Sequence, residues 1–249
     1  TCAGLEVDET GRLVRQFLDA GITKFLALRG DPPQGGAVRP RRTLASAAEL
    51  VQLIGRVEAE RMPYAETPLP GLRAPILGER RGAALGARRA ATEIAVAAFP
   101  NGHPGAGTRR SDVDALLAKQ SAGATMAITQ LFFDPYDYAR FVELARSRGV
   151  TIPIVPGVVV PTTVRRLIRS AELAGEGVPR VLAERLEAAS PDDARRLGVD
   201  AAVALIGALA EHDPGAVHLY TFNDHRPAID VLAGVGALPL TAPTPTGAP

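Results

Sequence analysis

Short apolar segments alternate with helix-period stretches along most of this chain, and that alternation constrains its fold more than any other feature. Five segments carry the density of aliphatic and β-branched residues that suits buried parallel strands. They are Lys24–Arg29, Ile94–Phe99, Thr125–Gln130, Ile152–Val155 and Val217–Thr221. Between them the apolar period changes to that of a helix. Residues 9–20 place Val14, Phe17 and Leu18 on one stripe and end at Gly21. Residues 46–60 gather Leu50, Leu53, Ile54 and Val57. Residues 111–122 start at Ser111, in an N-cap role, and stop at Gly123. Residues 135–148 start with Pro135 behind Asp134 and stop at Gly149. Further helices are expected over 162–174, 179–189 and 192–211. Strand followed by helix, repeated, requires parallel strands joined by right-handed crossovers.

Two architectures satisfy this pattern, an open doubly wound sheet and a (β/α)8 barrel. No glycine-rich phosphate fingerprint follows the first strand, which weighs against a dinucleotide-binding sheet. A closed barrel needs eight strands, and only five are visible here. The rhythm breaks twice. Residues 61–92 are rich in Pro, Gly, Arg and Ala and read as an inserted loop, and 239–249 read as a disordered tail. The rest, 1–238, reads as one domain.

With 249 residues, 46% of them hydrophobic and 22% charged, the chain has ample material for a core. Its formal charge of +1 gives no electrostatic footprint for nucleic acid or an anionic membrane. Uninterrupted apolar runs fall short of the ~18 residues of a membrane helix. The one cysteine, Cys2, excludes an internal disulfide and a cysteine-based zinc site, so no metal centre is expected. Cys2 reads as a small buried hydrophobe, and a cytoplasmic location is expected. The chain opens on Thr1 without an initiator Met, from which a missing N-terminal portion is expected.

In parallel βα folds ligands bind beyond the carboxyl ends of the strands. Those ends read Arg29-Gly30-Asp31-Pro32-Pro33, Phe99-Pro100-Asn101-Gly102-His103-Pro104, Thr129-Gln130-Leu131-Phe132-Phe133-Asp134, Val155-Pro156-Gly157 and Tyr220-Thr221-Phe222-Asn223-Asp224. Singly, each has an ordinary reading. Arg29 and Asp31 could pair across a turn, His103 could serve a turn, and Gln130 could satisfy a backbone group. Phe132 and Phe133 could be core, and Asp112 and Lys119, seven apart on one helix, could line a solvated face. Gathered at one rim, they favour a binding site.

Leu28-Arg29-Gly30-Asp31-Pro32-Pro33 and Ile128-Thr129-Gln130-Leu131-Phe132-Phe133-Asp134 resemble signatures of the methylenetetrahydrofolate reductase family. Ala97–Pro104, Val155-Pro156-Gly157 and His218–Asn223 are similar to its later strand motifs, in the same order, and Thr1-Cys2 to the close of its third strand. The resemblance implies a TIM-type (β/α)8 barrel that here lacks strands 1–3. It implies an FAD enzyme that passes a hydride from NADH or NADPH through the flavin to methylenetetrahydrofolate, giving 5-methyltetrahydrofolate, and a homo-oligomer. It assigns Arg29, Gly30, Asp31, Ala47, Phe99, His103, Ala106, Asp112 and Lys119 to FAD. Asp31 also serves catalysis beside the flavin and folate, and Gln130 reads the pterin. Several positions depart from the family pattern. Ser46 and Phe99 replace tyrosines, Ala115 and Ala118 replace an Asn and an Arg, and Val164 stands where a phenylalanine is expected. Asp224 replaces a folate-binding Arg, with Arg226 two residues on. The family's acidic Glu belongs to strand one, before Thr1, so the alternative expectation is a flavin- or folate-binding relative without activity of its own.

Overall fold

A computed structural model describes residues 1–31, 42–61, 92–103 and 108–237. The body of the expected insertion, the expected tail, Ala106 and the Pro32-Pro33 pair lie outside the described residues. The chain divides into two compact units, Thr1–Ile94 and Ala95–Pro249.

In the first unit, helix α1 (Val7–Asp19), strand β1 (Lys24–Ala27) and helix α2 (Ala47–Glu60) follow one another. Leu50, Leu53, Ile54 and Val57 are all buried, as their spacing predicts. Burying side chains of this size contributes roughly 1.5–3 kcal/mol each. On α1, Val14 and Leu18 are buried, but Phe17 is 46% exposed and meets the Phe25 ring instead. A three-residue stripe is broader than the face this helix buries. The first residues lie beside the end of β1. Cys2 N–H donates to the carbonyls of Leu28 and Arg29, and Ala3 N–H donates to Arg29 O at 2.7 Å.

The second unit carries strands β2 (Glu93–Ala98, from Ala95 on), β3 (Met126–Leu131), β4 (Ile154–Val159) and β5 (His218–Tyr220). Its helices are α3 (Arg109–Ser121), α4 (Pro135–Ser147), α5 (Val164–Ala174), α6 (Arg180–Ala188), α7 (Pro191–Ala210) and α8 (Arg226–Gly234). Neighbouring strands from β2 to β5 pair in parallel, and the sheet runs in chain order from β1 to β5. That order resolves the ambiguity left by periodicity. A doubly wound sheet reverses its strand order at a switch point, whereas sequential strands with same-handed crossovers are the barrel pattern. The fold class is α/β, with five consecutive units of the (β/α)8 type.

Three sequence expectations need correction. Strand β4 does not end at Val155; it runs through Pro156-Gly157 to Val159. Proline cannot donate to the ladder, and here Gly157 N–H turns to the Thr129 hydroxyl at 2.8 Å while the β3–β4 register shifts. Helix α3 begins earlier than expected, because Thr108 rather than Ser111 is its N-cap. Thr108 Oγ1 accepts from Ser111 N–H at 3.1 Å, and Ser111 Oγ accepts in return from Thr108 N–H at 3.2 Å. Helix α8 was not expected at all.

Gly157 shows why β4 reads as it does. A Cβ there would stand 2.4 Å from Thr129 O and 2.6 Å from the Tyr220 ring. The Tyr220 hydroxyl donates to that same Thr129 carbonyl at 2.9 Å. Thr129, fully buried, therefore binds β4 through its hydroxyl and β5 through its backbone.

Candidate functional site

In the second unit the residues beyond the ends of β2 and β3 come together. Phe99 follows β2 and sets its ring edge-on to His103, with centroids 4.7 Å apart. His103 N–H donates to Asp112 Oδ2 at 3.1 Å, across the left-handed Gly102 (φ +98°). Asp112 is only 8% exposed, which rules out a solvated-face reading. One helical face carries both Asp112 and Lys119. Lys119 Nζ donates to Ala97 O at 2.8 Å and lies 5.9 Å from the centre of the Phe99 ring. Burial holds the Lys119 ammonium below its ordinary pKa, and the Asp112 carboxylate opposes that shift. The ammonium has three hydrogens and, among the described residues, one hydrogen-bond partner, so two donors remain for an anion. Phe99, His103, Asp112 and Lys119 thus form one connected cluster.

Other expected residues stand apart from it. Gln130 lies on β3, and its Oε1 accepts from Leu131 N–H at 3.1 Å. Phe132 is core, stacked on Tyr138, and Phe133 packs into the neighbouring apolar clusters. Val164 also packs inward, against the cluster of Leu167, Leu186 and Ala194. In the first unit, Arg29 and Asp31 are exposed and form no ion pair with each other. Arg29 Nε donates instead to Gly30 O at 3.3 Å. Gly30 is left-handed (φ +81°), and a Cβ there would meet Thr1 at 2.9 Å. Ala47 opens α2 as a buried residue behind the Ser46 cap. Cys2 is buried and its thiol is pushed up by that burial, so it is a packed hydrophobe rather than a nucleophile. No group of His, Cys, Asp and Glu among the described residues could hold a metal ion.

Two features were missed in the sequence. The first centres on Asn101, just past β2. Its amide donates to Asp137 Oδ2 at 2.8 Å and to Glu176 Oε1, while its own oxygen accepts from Arg109 at 3.2 Å. Burial raises the Glu176 carboxyl, with the Asp137 and Asp134 charges adding and the Asn101 bond opposing. The second is a cavity of about 300 Å³ beyond the last residues of β4 and β5, Val159 and Tyr220. Phe222 on its wall and the following Asn223 are both left-handed (φ 47° and 64°). Such a backbone costs on the order of 1 kcal/mol or more for a bulky residue. It leaves the Phe222 ring 55% exposed and stacked on Tyr220, with centroids 6.4 Å apart. Asp224, at the position of the expected folate Arg, pairs with Arg166 of α5 at 3.0 Å. Only two adjacent non-glycine residues in Tyr220-Thr221-Phe222-Asn223 hint at this turn, and Arg166 is hidden among the arginines of α5.

The family profile described as methylenetetrahydrofolate reductase matches residues 1–64 and 88–236. "Methylenetetrahydrofolate reductase (NADH) 1" of Arabidopsis thaliana is 28% identical over 96% of this chain and 37% of its own length. The "5,10-methylenetetrahydrofolate reductase" of Escherichia coli K12 is 27% identical, over 96% of this chain and 69% of its own length. Among solved structures, one described as an uncharacterized protein from Clostridium thermocellum that binds two copies of 5-methyl-5,6,7,8-tetrahydrofolic acid aligns with a TM-score of 0.51. It is 12% identical, covers 95% of this chain and 71% of its own, and speaks for the fold alone. The chain spans little more than a third of the plant relative and about two thirds of the bacterial one.

Proposed function

The chain belongs to the methylenetetrahydrofolate reductase family, and on that premise we propose that it binds FAD and takes part in the NAD(P)H-dependent reduction of methylenetetrahydrofolate to 5-methyltetrahydrofolate. The observation that carries this reading is the cluster of Phe99, His103, Asp112 and Lys119. Four positions that the family resemblance assigns to FAD make contacts with one another at the carboxyl ends of parallel strands.

The residues suit such a group. Lys119 keeps two donors and a positive charge in a partly desolvated place, which favours a phosphate. Asp112 fixes the backbone of His103 and so sets where Phe99 and His103 present their rings. Arg29, Gly30, Asp31, Ala47 and Ala106 are each proposed as FAD-binding residues. A carboxylate at Asp31 would disfavour added negative charge on a nearby ring and so tune its potential. Gln130 is proposed to read the pterin through its side-chain amide, exchanging its bond to Leu131 for the substrate. FAD, when bound, supplies a ring that accepts a hydride from the nicotinamide and passes it to the folate. We also propose a homo-oligomer and a cytoplasmic location. Among the described residues no helix is long and apolar enough to cross a membrane.

The test is to reconstitute the 249-residue chain with FAD and score yellow colour, quenching of flavin fluorescence and NAD(P)H oxidation. Lys119→Met should weaken FAD binding by roughly tenfold or more, the worth of one charge-assisted contact. It should also abolish the loss of affinity as pH rises through the lowered Lys119 pKa, because only the ammonium form attracts phosphate. Unchanged affinity in Lys119→Met removes the basis for this reading. Colour without NAD(P)H oxidation supports binding without catalysis.

A further inference from the structure

We propose that Asn101 is a positioning residue for the loop that presents Phe99 and His103, clasping that loop to three separate elements through one side-chain amide. The consequence for FAD rests on the proposed function; the consequence for the loop itself does not.

The loop is a tight turn. Pro100 and Asn101 are its central residues, and Gly102 N–H closes it by donating to Phe99 O at 3.2 Å. Asp112 holds its far end through His103 N–H, and Lys119 holds the strand before it through Ala97 O. Both of those anchors belong to α3. Asparagine is common in turns because it bonds its own backbone there. In this turn its side chain instead reaches residues 8, 36 and 75 positions away.

Every polar atom of the amide has a matched partner. One Nδ2 hydrogen goes to Asp137 Oδ2 at 2.8 Å, in the first turn of α4. The other goes to Glu176 Oε1, just past the left-handed Gly175 that ends α5. Oδ1 accepts from Arg109 Nη2 at 3.2 Å, at the first residue of α3. Two carboxylates and a guanidinium leave the amide a single orientation. An aspartate in its place brings no donor, and an alanine no bond at all. Burial pushes the Glu176 carboxyl up, the Asn101 bond and Arg109 oppose that shift, and the Asp137 and Asp134 charges add to it. Arg140 pairs with Asp137 from the same helix. An amide bridging two like charges does more than shape a turn. Without it the acids repel each other, and α4 and the end of α5 lose their hold on the loop. Phe99 stands two residues before this hub and His103 two residues after it, so the clasp fixes where both rings point.

Amide hydrogen exchange on the full chain without FAD reads the loop at Gly102 and His103, whose N–H groups are both bonded. Asn101→Ala should speed exchange at these two amides by roughly tenfold or more, the worth of lost bonds to charged groups. Asn101→Asp, which sets a third carboxylate against Asp137 and Glu176, should speed it further. Combining Asn101→Asp with Glu176→Gln returns an amide opposite a carboxylate at the wild-type net charge, and should restore most of the protection. Asp114→Asn, which breaks the pair with Arg148 elsewhere on α3, should leave both amides unchanged. So should every variant leave Ala127, whose N–H donates to Pro153 O. FAD affinity, read by fluorescence quenching, should fall roughly tenfold in Asn101→Asp and recover in the swapped pair, because affinity drops with the fraction of chains whose loop is in place. Should Asn101→Asp fail to fold by its urea midpoint, Asn101→Ala and the swapped pair decide. Unchanged exchange in Asn101→Ala, a swap that rescues nothing, or faster exchange throughout the chain overturns the proposal. Faster loop exchange with undiminished FAD affinity overturns it too. A chain whose loop responds as expected but which never takes FAD refutes the flavin reading alone. A yellow chain whose Gly102 and His103 ignore Asn101 refutes the clasp alone.

Discussion

Replacing Gly157 with alanine adds one methyl group at the point where three strands meet. The new Cβ would stand 2.4 Å from Thr129 O and 2.6 Å from the Tyr220 ring, so neighbouring strands must move. Neither neighbour is a loose side-chain end. One is backbone of the central strand β3, and the other is a ring whose hydroxyl is tied to that same carbonyl at 2.9 Å. Overpacking of this kind costs about 1–3 kcal/mol. The move also stretches the Gly157–Thr129 and Tyr220–Thr129 hydrogen bonds, each worth about 1 kcal/mol. The φ of Gly157 is not left-handed, so alanine recovers about 0.4–1 kcal/mol by restricting the unfolded chain. The net expectation is a loss of about 2–4 kcal/mol. Gly207 in α7 is the matched control: nothing lies within 4 Å of its Cβ position, and its φ is also ordinary. Gly207→Ala should gain about 0.5–1 kcal/mol, the propensity difference in a helix interior. Urea unfolding followed by circular dichroism measures both. A Gly157→Ala midpoint equal to or above wild type would refute the three-strand account, whatever Gly207→Ala does.

His218 is desolvated, which lowers its pKa below the ordinary 6.5. The unfolded chain then binds the proton more readily, so stability should be fully present above pH 6.5 and lost as pH falls through the window below it. His218→Gln should flatten that slope in urea midpoints measured across this range. Thr108→Ala should cost about 1 kcal/mol, the usual worth of an N-cap, and Ser111→Ala should cost less; equal and negligible losses in thermal unfolding would show that the reciprocal cap does not hold α3.

Much of this fold was legible because buried strands and amphipathic helices must declare their period in the chain. The helix start at Asp134-Pro135 carried a cap signal that could be read directly. Strand β4 was cut short because Pro156-Gly157 looks like a terminator. Only the three-dimensional neighbour, the Thr129 hydroxyl, makes it a continuing strand. Helix α8 begins at Arg226-Pro227, where proline reads as a break yet fits a helix's first turn. The rim cluster was legible as a set of residue types at strand ends, and Asp112 with Lys119 as one helical face. What a chain cannot announce is distance across it: Asp224 with Arg166, and Asn101 with Asp137 and Glu176, are separated by dozens of residues that carry no local trace of the pairing.

Strict chain order among the strands also has a kinetic meaning. Each of β3, β4 and β5 finds its partner in the strand synthesised just before it, so pairing can advance along the chain as it emerges. The connection from β4 to β5, with α5, α6 and α7 inside it, is roughly twice as long as that from β2 to β3. Loop closure makes such a doubling cost only about 0.6 kcal/mol at equilibrium. In time it matters more, because β5 joins last. Tyr220 therefore reaches Thr129 only after β2, β3 and β4 have been made. A chain stopped before Tyr220 would keep three paired strands and have no floor for the cavity.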